Sequence, residues 1–336
     1  MKYRIFPRRQ FLKLFLGASA AACFPACAAN DLNEDDQLNG AIDPEPSDSQ
    51  RPDAFDGADI EIKESTNRSL PPGRSPAVIW LEAQDCAGCT ESLFSSLDID
   101  YGELLLNDIC ITYHETLMFD AGERSTSILE RAISEGNYLL VIEGAFPAAD
   151  SRYLQVHGEP LEQVFISAAK NASTILAVGT CACFGAIPKS GPTRGRGVRE
   201  ILAVYNVNKS IINVPGCPIH PVWFLDTIKA VSISTIPTLD GHLRPTAHFR
   251  RRIHDQCPRR EFRNTDKYLA DWNNPDERKW CLYRKGCKGE ETYADCPKLL
   301  WNDRASWCID SGAPCTGCTE PSFCCDQSAL YSNHTA

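Results

Sequence analysis

Five short runs between Pro76 and Gly216 are apolar almost without interruption: "AVIWLEA" (77–83), "CITYHETL" (110–117), "YLLVIEGA" (138–145), "STILAVGT" (173–180) and "SIINVPG" (210–216). Between them, stretches such as Ser125 to Glu135 and Leu161 to Asn171 carry apolar residues at helical spacing. Apolar strands that alternate with helices predict an α/β fold with a parallel sheet covered on both faces. In such a sheet, ligands sit at the carboxyl ends of the strands.

The cysteines follow that rule. Cys86 and Cys89 come after the first run, Cys181 after the fourth and Cys217 after the fifth, so four thiols are expected at one edge. Cys110 falls inside a strand-like run and reads as a buried small hydrophobe. Cys183 either lines the site or packs. The loop "GPTRGRG" (191–197) has a faint likeness to a phosphate cradle, and a surface loop is the better reading.

After about Leu239 the apolar periodicity stops. The segment to residue 325 is dense in Cys, Arg, Asp and Gly, and a domain so short of core residues needs staples. It offers His254-x-x-Cys257, then Cys281 and Cys287, then Cys296, Cys308, Cys315 and Cys318. Disulfides are one reading for an exported chain. Zinc is a second, since CxxC and HxxC are zinc spacings. Iron–sulfur clusters are a third: three sets of four ligands account for eleven cysteines and one histidine.

Composition sharpens the choice. Seventeen cysteines in 336 residues are too many for an ordinary globular protein and too few for a disulfide miniprotein. Residues 1–28 read as an export signal, with Lys2, Arg4, Arg8, Arg9 and Lys13 ahead of the apolar run "FLGASAAACFPACAA". Arg8 and Arg9 open "RRQFLK", a twin-arginine pattern, and that route exports proteins already folded around a cofactor. An ordinary secretory signal is the plainer alternative, and Cys27 in "FPAC" is a weaker candidate for lipidation. Residues 29–75 read as an acidic disordered linker: between Ala29 and Glu64 twelve acids face only Arg51 and Lys63. Most of the net charge of −10 therefore resides there, which argues against a nucleic-acid partner. No other run is long and apolar enough to predict a transmembrane anchor.

At this point the chain resembles a known family, the small subunits of nickel–iron hydrogenases. The resemblance spans roughly residues 76–323 and is carried by "WLEAQDCAGCTES", "VIEGAFP", "GTCACFGAIP", "VPGCPIHP", "LRPTAHFRRRIHDQCPRREF", "CLYRKGCKG", "TYADCP" and "GAPCTGCTEPSF". It implies a flavodoxin-like parallel-sheet domain over 76–239, a mostly irregular iron–sulfur domain over 240–325, and a tail over 326–336. Position by position, Cys86, Cys89, Cys181 and Cys217 resemble the ligands of a proximal [4Fe–4S] cluster. His254, Cys257, Cys281 and Cys287 resemble those of a distal [4Fe–4S] cluster. Cys296, Cys315 and Cys318 resemble the three ligands of the medial cluster.

Two departures matter. Many members have proline where this chain has Cys308, and their medial cluster is [3Fe–4S]; here the fourth thiolate implies [4Fe–4S], as in the nickel–iron–selenium-like members. Oxygen-tolerant members add two cysteines beside the proximal cluster, whereas this chain has Gly88 and Ala186 at or near those positions. The expectation is an ordinary proximal cluster.

The resemblance implies the reaction H₂ ⇌ 2H⁺ + 2e⁻ at a Ni–Fe centre in a separate large subunit. This chain would then pass electrons to an acceptor such as a c-type cytochrome or a membrane quinone-reducing module. The expected location is the periplasm or the outer face of the membrane, without an anchor in the mature chain. Glu82, four residues before Cys86, is a candidate for proton transfer or for holding a loop. The competing readings are a secreted disulfide-stapled domain and a ferredoxin-like carrier without a hydrogenase partner.

Overall fold

The structure is a computed structural model, in which residues 76–95 and 109–324 are described. The export signal with Arg8, Arg9 and Cys27, the acidic linker, Cys325 and the tail lie outside the described residues.

Among the described residues seven strands occur in chain order: β1 (Ala77–Glu82), β2 (Cys110–His114), β3 (Leu139–Glu143), β4 (Gln155–Val156), β5 (Glu159–Pro160), β6 (Thr174–Val178) and β7 (Ile211–Val214). Strands β4 and β5 form a small hairpin. The other five make one sheet in the order β2-β1-β3-β6-β7, and every pairing is parallel. That is the flavodoxin-like order, with its switch point between β1 and β3. All five predicted strands are present, and the two helical stretches form α2 (Glu123–Glu135) and α3 (Leu161–Asn171).

The period-two geometry of a strand sends alternate side chains to opposite faces. Ile79, Leu81, Leu140, Ile142, Ile175 and Ala177 pack under α2, α3 and α6 (Val198–Val204), in an apolar cluster that includes Phe165 and Ile201. Val78, Trp80, Leu139, Val141, Leu176, Val178, Ile212 and Val214 face the other way. There they meet α1 (Gly88–Phe94) and α7 (Pro221–Ser232), and in the same cluster Phe249, Leu269, Leu282, Trp307 and Ile309. The C-terminal half thus covers one sheet face and borrows its apolar surface. Its own elements are single turns: α8 (Thr246–Phe249), α9 (Ile253–Gln256), α10 (Arg260–Asn264) and α11 (Cys296–Leu299).

A buried ion pair ties the start of the C-terminal half to its end. The Arg244 side chain is 3% exposed; it donates to Asp240 at 2.8 Å, to Glu320 at 3.0 Å and to the Thr319 carbonyl at 3.0 Å. Glu320 also accepts the Tyr293 amide at 2.6 Å. A guanidinium out of water needs several acceptors, and here it has three.

Candidate cluster-binding sites

Cys86 lies in the loop joining β1 to α1, Cys89 in the first turn of α1, Cys181 in α4 (Gly179–Phe184) directly after β6, and Cys217 follows β7. All four are therefore at the carboxyl edge of the sheet. Burial pushes the Cys181 thiol up to about 12, with the neighbouring Cys217 and Cys86 adding to it. Burial also raises Cys89 strongly, followed by the charge of Glu143 and then by Cys181 and Cys217. Gly179 explains part of the closeness: a Cβ there would lie 2.5 Å from the Cys89 sulfur, and its φ of +82° suits glycine.

The loop carrying Cys89 hangs on a buried carboxylate that sequence reasoning had not assigned a role. Glu143, at the end of β3, accepts the Cys89 amide at 2.9 Å, the Thr90 amide at 3.1 Å and the Thr90 hydroxyl at 2.6 Å. It is 2% exposed, and burial, opposed by the Thr90 hydrogen bond, lifts its pKa to about 7. The one available signal was a charged residue closing the apolar run "YLLVIEGA".

Glu82 ends β1 beside this site. It accepts the Thr116 hydroxyl through one oxygen, and its other oxygen is buried without a hydrogen bond, 4.0 Å from His114 Nδ1. Burial holds His114 neutral, with its pKa lowered to about 4. Burial first, then the charges of Glu82 and Asp85, raises Glu115 to about 7.

In the second half, Cys296, Cys308, Cys315 and Cys318 come together. Burial raises Cys296, and Cys315 and Cys308 reinforce it. Cys318 is raised by burial and then by Cys296, Cys315 and Cys308. Gly312 and Gly317 turn the chain between them, at φ +92° and +77°. His254, Cys257, Cys281 and Cys287 instead line one small cavity, together with Arg259, Tyr283 and Glu290. There burial pushes Cys257 up to about 11, Cys287 and Cys281 contributing.

The three groups are contiguous. Thr180 takes the Gly216 amide at 2.9 Å and gives its own hydroxyl proton to the Cys318 carbonyl, tying the first group to the second. The Cys315 thiol feels the charge of Cys287, and its carbonyl accepts the Lys288 amide at 2.8 Å, tying the second to the third. Among the described residues no three His, Cys, Asp or Glu side chains are close enough to hold a single metal ion. A cubane several atoms across needs thiolates spread wider than one ion does, and the chemistry of these thiol-rich sets fits such a group.

Of the described cysteines, thirteen are free, which speaks against a disulfide-stapled domain. Cys110 is the exception and a correction: it is half-buried and disulfide-bonded, not simply packed. Cys183 packs on the far face of the sheet, with its thiol donating to the Ala177 carbonyl at 3.2 Å. The "GPTRGRG" loop is no cradle: the carbonyls of Thr193 and Arg196 accept amides from Ala148, Ala149 and Phe146, and the Arg196 and Gly195 amides bond Phe146 and Pro188.

A histidine between two acids marks the same core. His248 lies 3.1 Å from Asp295 and 3.2 Å from Asp226. Burial alone would lower its pKa, but the two carboxylates outweigh it and raise it to about 9. A raised folded-state pKa stabilises fully below the unfolded value near 6.5, and that contribution is lost as pH rises through about 9. The thermal midpoint should therefore fall between pH 6.5 and 9 more steeply in the parent protein than in His248→Gln. Parallel pH profiles would show that the pair contributes nothing.

Comparison with known proteins agrees with this geometry. Residues 249–331 match the family model for the C-terminal part of the NiFe/NiFeSe hydrogenase small subunit, and residues 86–231 match that for the NADH ubiquinone oxidoreductase 20 Kd subunit. The periplasmic [NiFe] hydrogenase small subunit of Solidesulfovibrio fructosivorans is 36% identical over 253 residues, 74% of this chain and 79% of the relative. This chain belongs to the NiFe/NiFeSe hydrogenase small-subunit family. The periplasmic [NiFeSe] hydrogenase small subunit of Desulfomicrobium baculatum is 32% identical over 276 residues, 76% of this chain and 86% of the relative. The solved reduced, active Ni-Fe-Se hydrogenase from Desulfomicrobium baculatum superimposes with a TM-score of 0.71 at 32% identity, covering 77% of this chain and 99% of that one. As a hydrogenase small subunit the chain is non-catalytic, pairs with a large subunit, transfers electrons and takes iron–sulfur clusters of the family's kind.

Proposed function

We propose that the chain is the electron relay of an exported nickel–iron hydrogenase, working through three iron–sulfur clusters. Cys86, Cys89, Cys181 and Cys217 would hold the proximal [4Fe–4S] cluster. Cys296, Cys308, Cys315 and Cys318 would hold a medial [4Fe–4S] cluster. His254, Cys257, Cys281 and Cys287 would hold the distal one. The clusters supply one-electron redox chemistry, while the protein sets spacing, ligand type and dielectric. The observation that carries the reading is the contiguity of the three thiol groups, through Thr180 on one side and Cys315 on the other.

The chain's own residues have distinct tasks. Glu143 fixes the backbone of Cys89 and Thr90, and Gly179 lets the Cys89 sulfur approach β6. Because buried thiols hold their protons, loading iron releases them, so assembly should be favoured at higher pH. Glu82, with one oxygen unpartnered near His114, is placed to take or give a proton at the edge where the large subunit would dock. The acceptor is an external one-electron partner, such as a c-type cytochrome or a quinone-reducing membrane module.

The test is purification of the heterodimer followed by iron, acid-labile sulfide and nickel analysis. Three clusters' worth of iron and sulfide with nickel in the partner, plus hydrogen-dependent dye reduction, is the expected result. Iron-free protein with intact folding would overturn the reading.

Location in the periplasm is supported by the names of the relatives and by "RRQFLK". Among the described residues no helix is long and apolar enough to cross a membrane. Replacing Arg8 and Arg9 with lysine should strand hydrogenase activity in the cytoplasm, with both subunits retained there. Unchanged export measured by cell fractionation would count against the twin-arginine route.

A further inference from the structure

The chain as a whole is acidic, with a net charge of −10, yet Arg250 to Lys288 contains twelve Lys and Arg against six Asp and Glu. That surplus gathers where the distal group opens. Arg259 and Arg260 line the cavity shared by His254, Cys257, Cys281 and Cys287. Arg263 bonds Glu290 on the cavity wall at 3.1 Å and lies 4.0 Å over the ring of Tyr283, another wall residue. Next along the chain, Arg284 sits 4.4 Å over Tyr268, and Arg252 pairs with Asp255 beside His254.

Three of the acids in this region are engaged. Asp255 holds Arg252 at 2.9 Å, Glu290 is held by Arg263, and Glu277 accepts the amides of Ala270 and Asp271. Arg250, Arg251, Arg260, Lys267, Arg278 and Lys279 are exposed. Trp272 offers an apolar anchor beside them, 45% exposed, with the Lys285 ammonium 5.7 Å from its ring. A cationic rim with an aromatic at its edge favours an anionic protein surface. Electrostatic steering acts at long range, and aromatic and arginine side chains dominate contact energies.

We infer that this basic rim is the docking surface for a small acidic one-electron carrier protein. The inference rests on the relay reading above and adds the charge class of its acceptor. One H₂ would reduce two oxidised carriers by one electron each and release two protons, each electron leaving through the His254 group. Arginines fixed over Tyr283 and Tyr268 are preorganised, so little side-chain freedom is lost when a carboxylate surface arrives.

The experiment uses the purified heterodimer under hydrogen and one haem carrier in two charge forms. One is a lysine-rich c-type cytochrome; the other is the same cytochrome after succinylation, which turns its ammonium groups into carboxylates. The succinylated form should be reduced with kcat/KM at least about tenfold higher at low salt, the advantage vanishing as salt screens it. Arg251→Glu combined with Arg284→Glu should abolish the preference while leaving viologen reduction unchanged. Equal rates for both forms, or faster reduction of the unmodified cytochrome, overturns the inference while leaving the relay reading intact. A preference that appears only after removal of residues 29–64 overturns it too, assigning the rim to the chain's own acidic segment. Failure to reduce viologen with the parent heterodimer removes the relay reading, and this inference with it.

Discussion

Cys308→Pro should convert an electron paramagnetic resonance-silent medial site into one giving a stoichiometric [3Fe–4S]⁺ signal in the anaerobically oxidised protein. A cubane needs four ligands, and proline supplies none, so one corner would lose its iron. The backbone has room for the exchange in one respect: among the described residues the Cys308 amide donates no main-chain hydrogen bond, while its carbonyl accepts the Ala313 amide at 2.8 Å. Trp307 and Ile309 are buried on either side and anchor the segment, so the variant should still fold. The parent protein should show no such signal. A stoichiometric [3Fe–4S]⁺ signal in the intact parent protein would sink the assignment of Cys308. The functional effect follows from the potentials: a [3Fe–4S] step at high potential would interrupt a relay of similar clusters. The variant should lose proton reduction more than hydrogen oxidation, and the ratio of the two activities measures this.

Glu143→Ala should abolish hydrogen-dependent dye reduction and leave two clusters' worth of iron in place of three. The side chain is the acceptor for three donors in a nearly dry environment: two amides and the Thr90 hydroxyl. Each donor left unpaired costs roughly 1–3 kcal/mol, so the Cys89 loop would lose several kcal/mol of support. Hydrogen–deuterium exchange at the Ni–Fe centre of the large subunit needs no relay and should persist, which separates a lost cluster from a failed heterodimer. Glu143→Gln retains one carbonyl oxygen toward the same donors and should recover part of the iron. Full iron content and full dye reduction in Glu143→Ala would show that the proximal loop stands without this carboxylate.

The five strands, their parallel arrangement and the edge carrying Cys86, Cys89, Cys181 and Cys217 were legible in the sequence. Continuous apolar runs permit little else than buried strands, and thiols just beyond their ends inherit their position from the sheet. The cysteine sets of the second half were legible as chemistry, through spacing, but not as structure. That half has no periodicity of its own because its apolar residues complete the core under one sheet face, a role no local pattern records. Cys110 was misread for a related reason: a disulfide is a pairing between two cysteines, which no local pattern around one of them records.

What only the tertiary structure decided are the polar partnerships. Glu143 and Cys89 are 54 residues apart, and Thr180 and Cys318 are 138 apart. The arginines around His254 likewise become a rim only when α10 and the Tyr283 turn close around one cavity. Residue type announces that a group can bind iron, accept a hydrogen bond or carry charge, because those properties belong to the side chain. Which partner it meets depends on chain crossings set by burial of the whole apolar surface, and that is a property of no single segment.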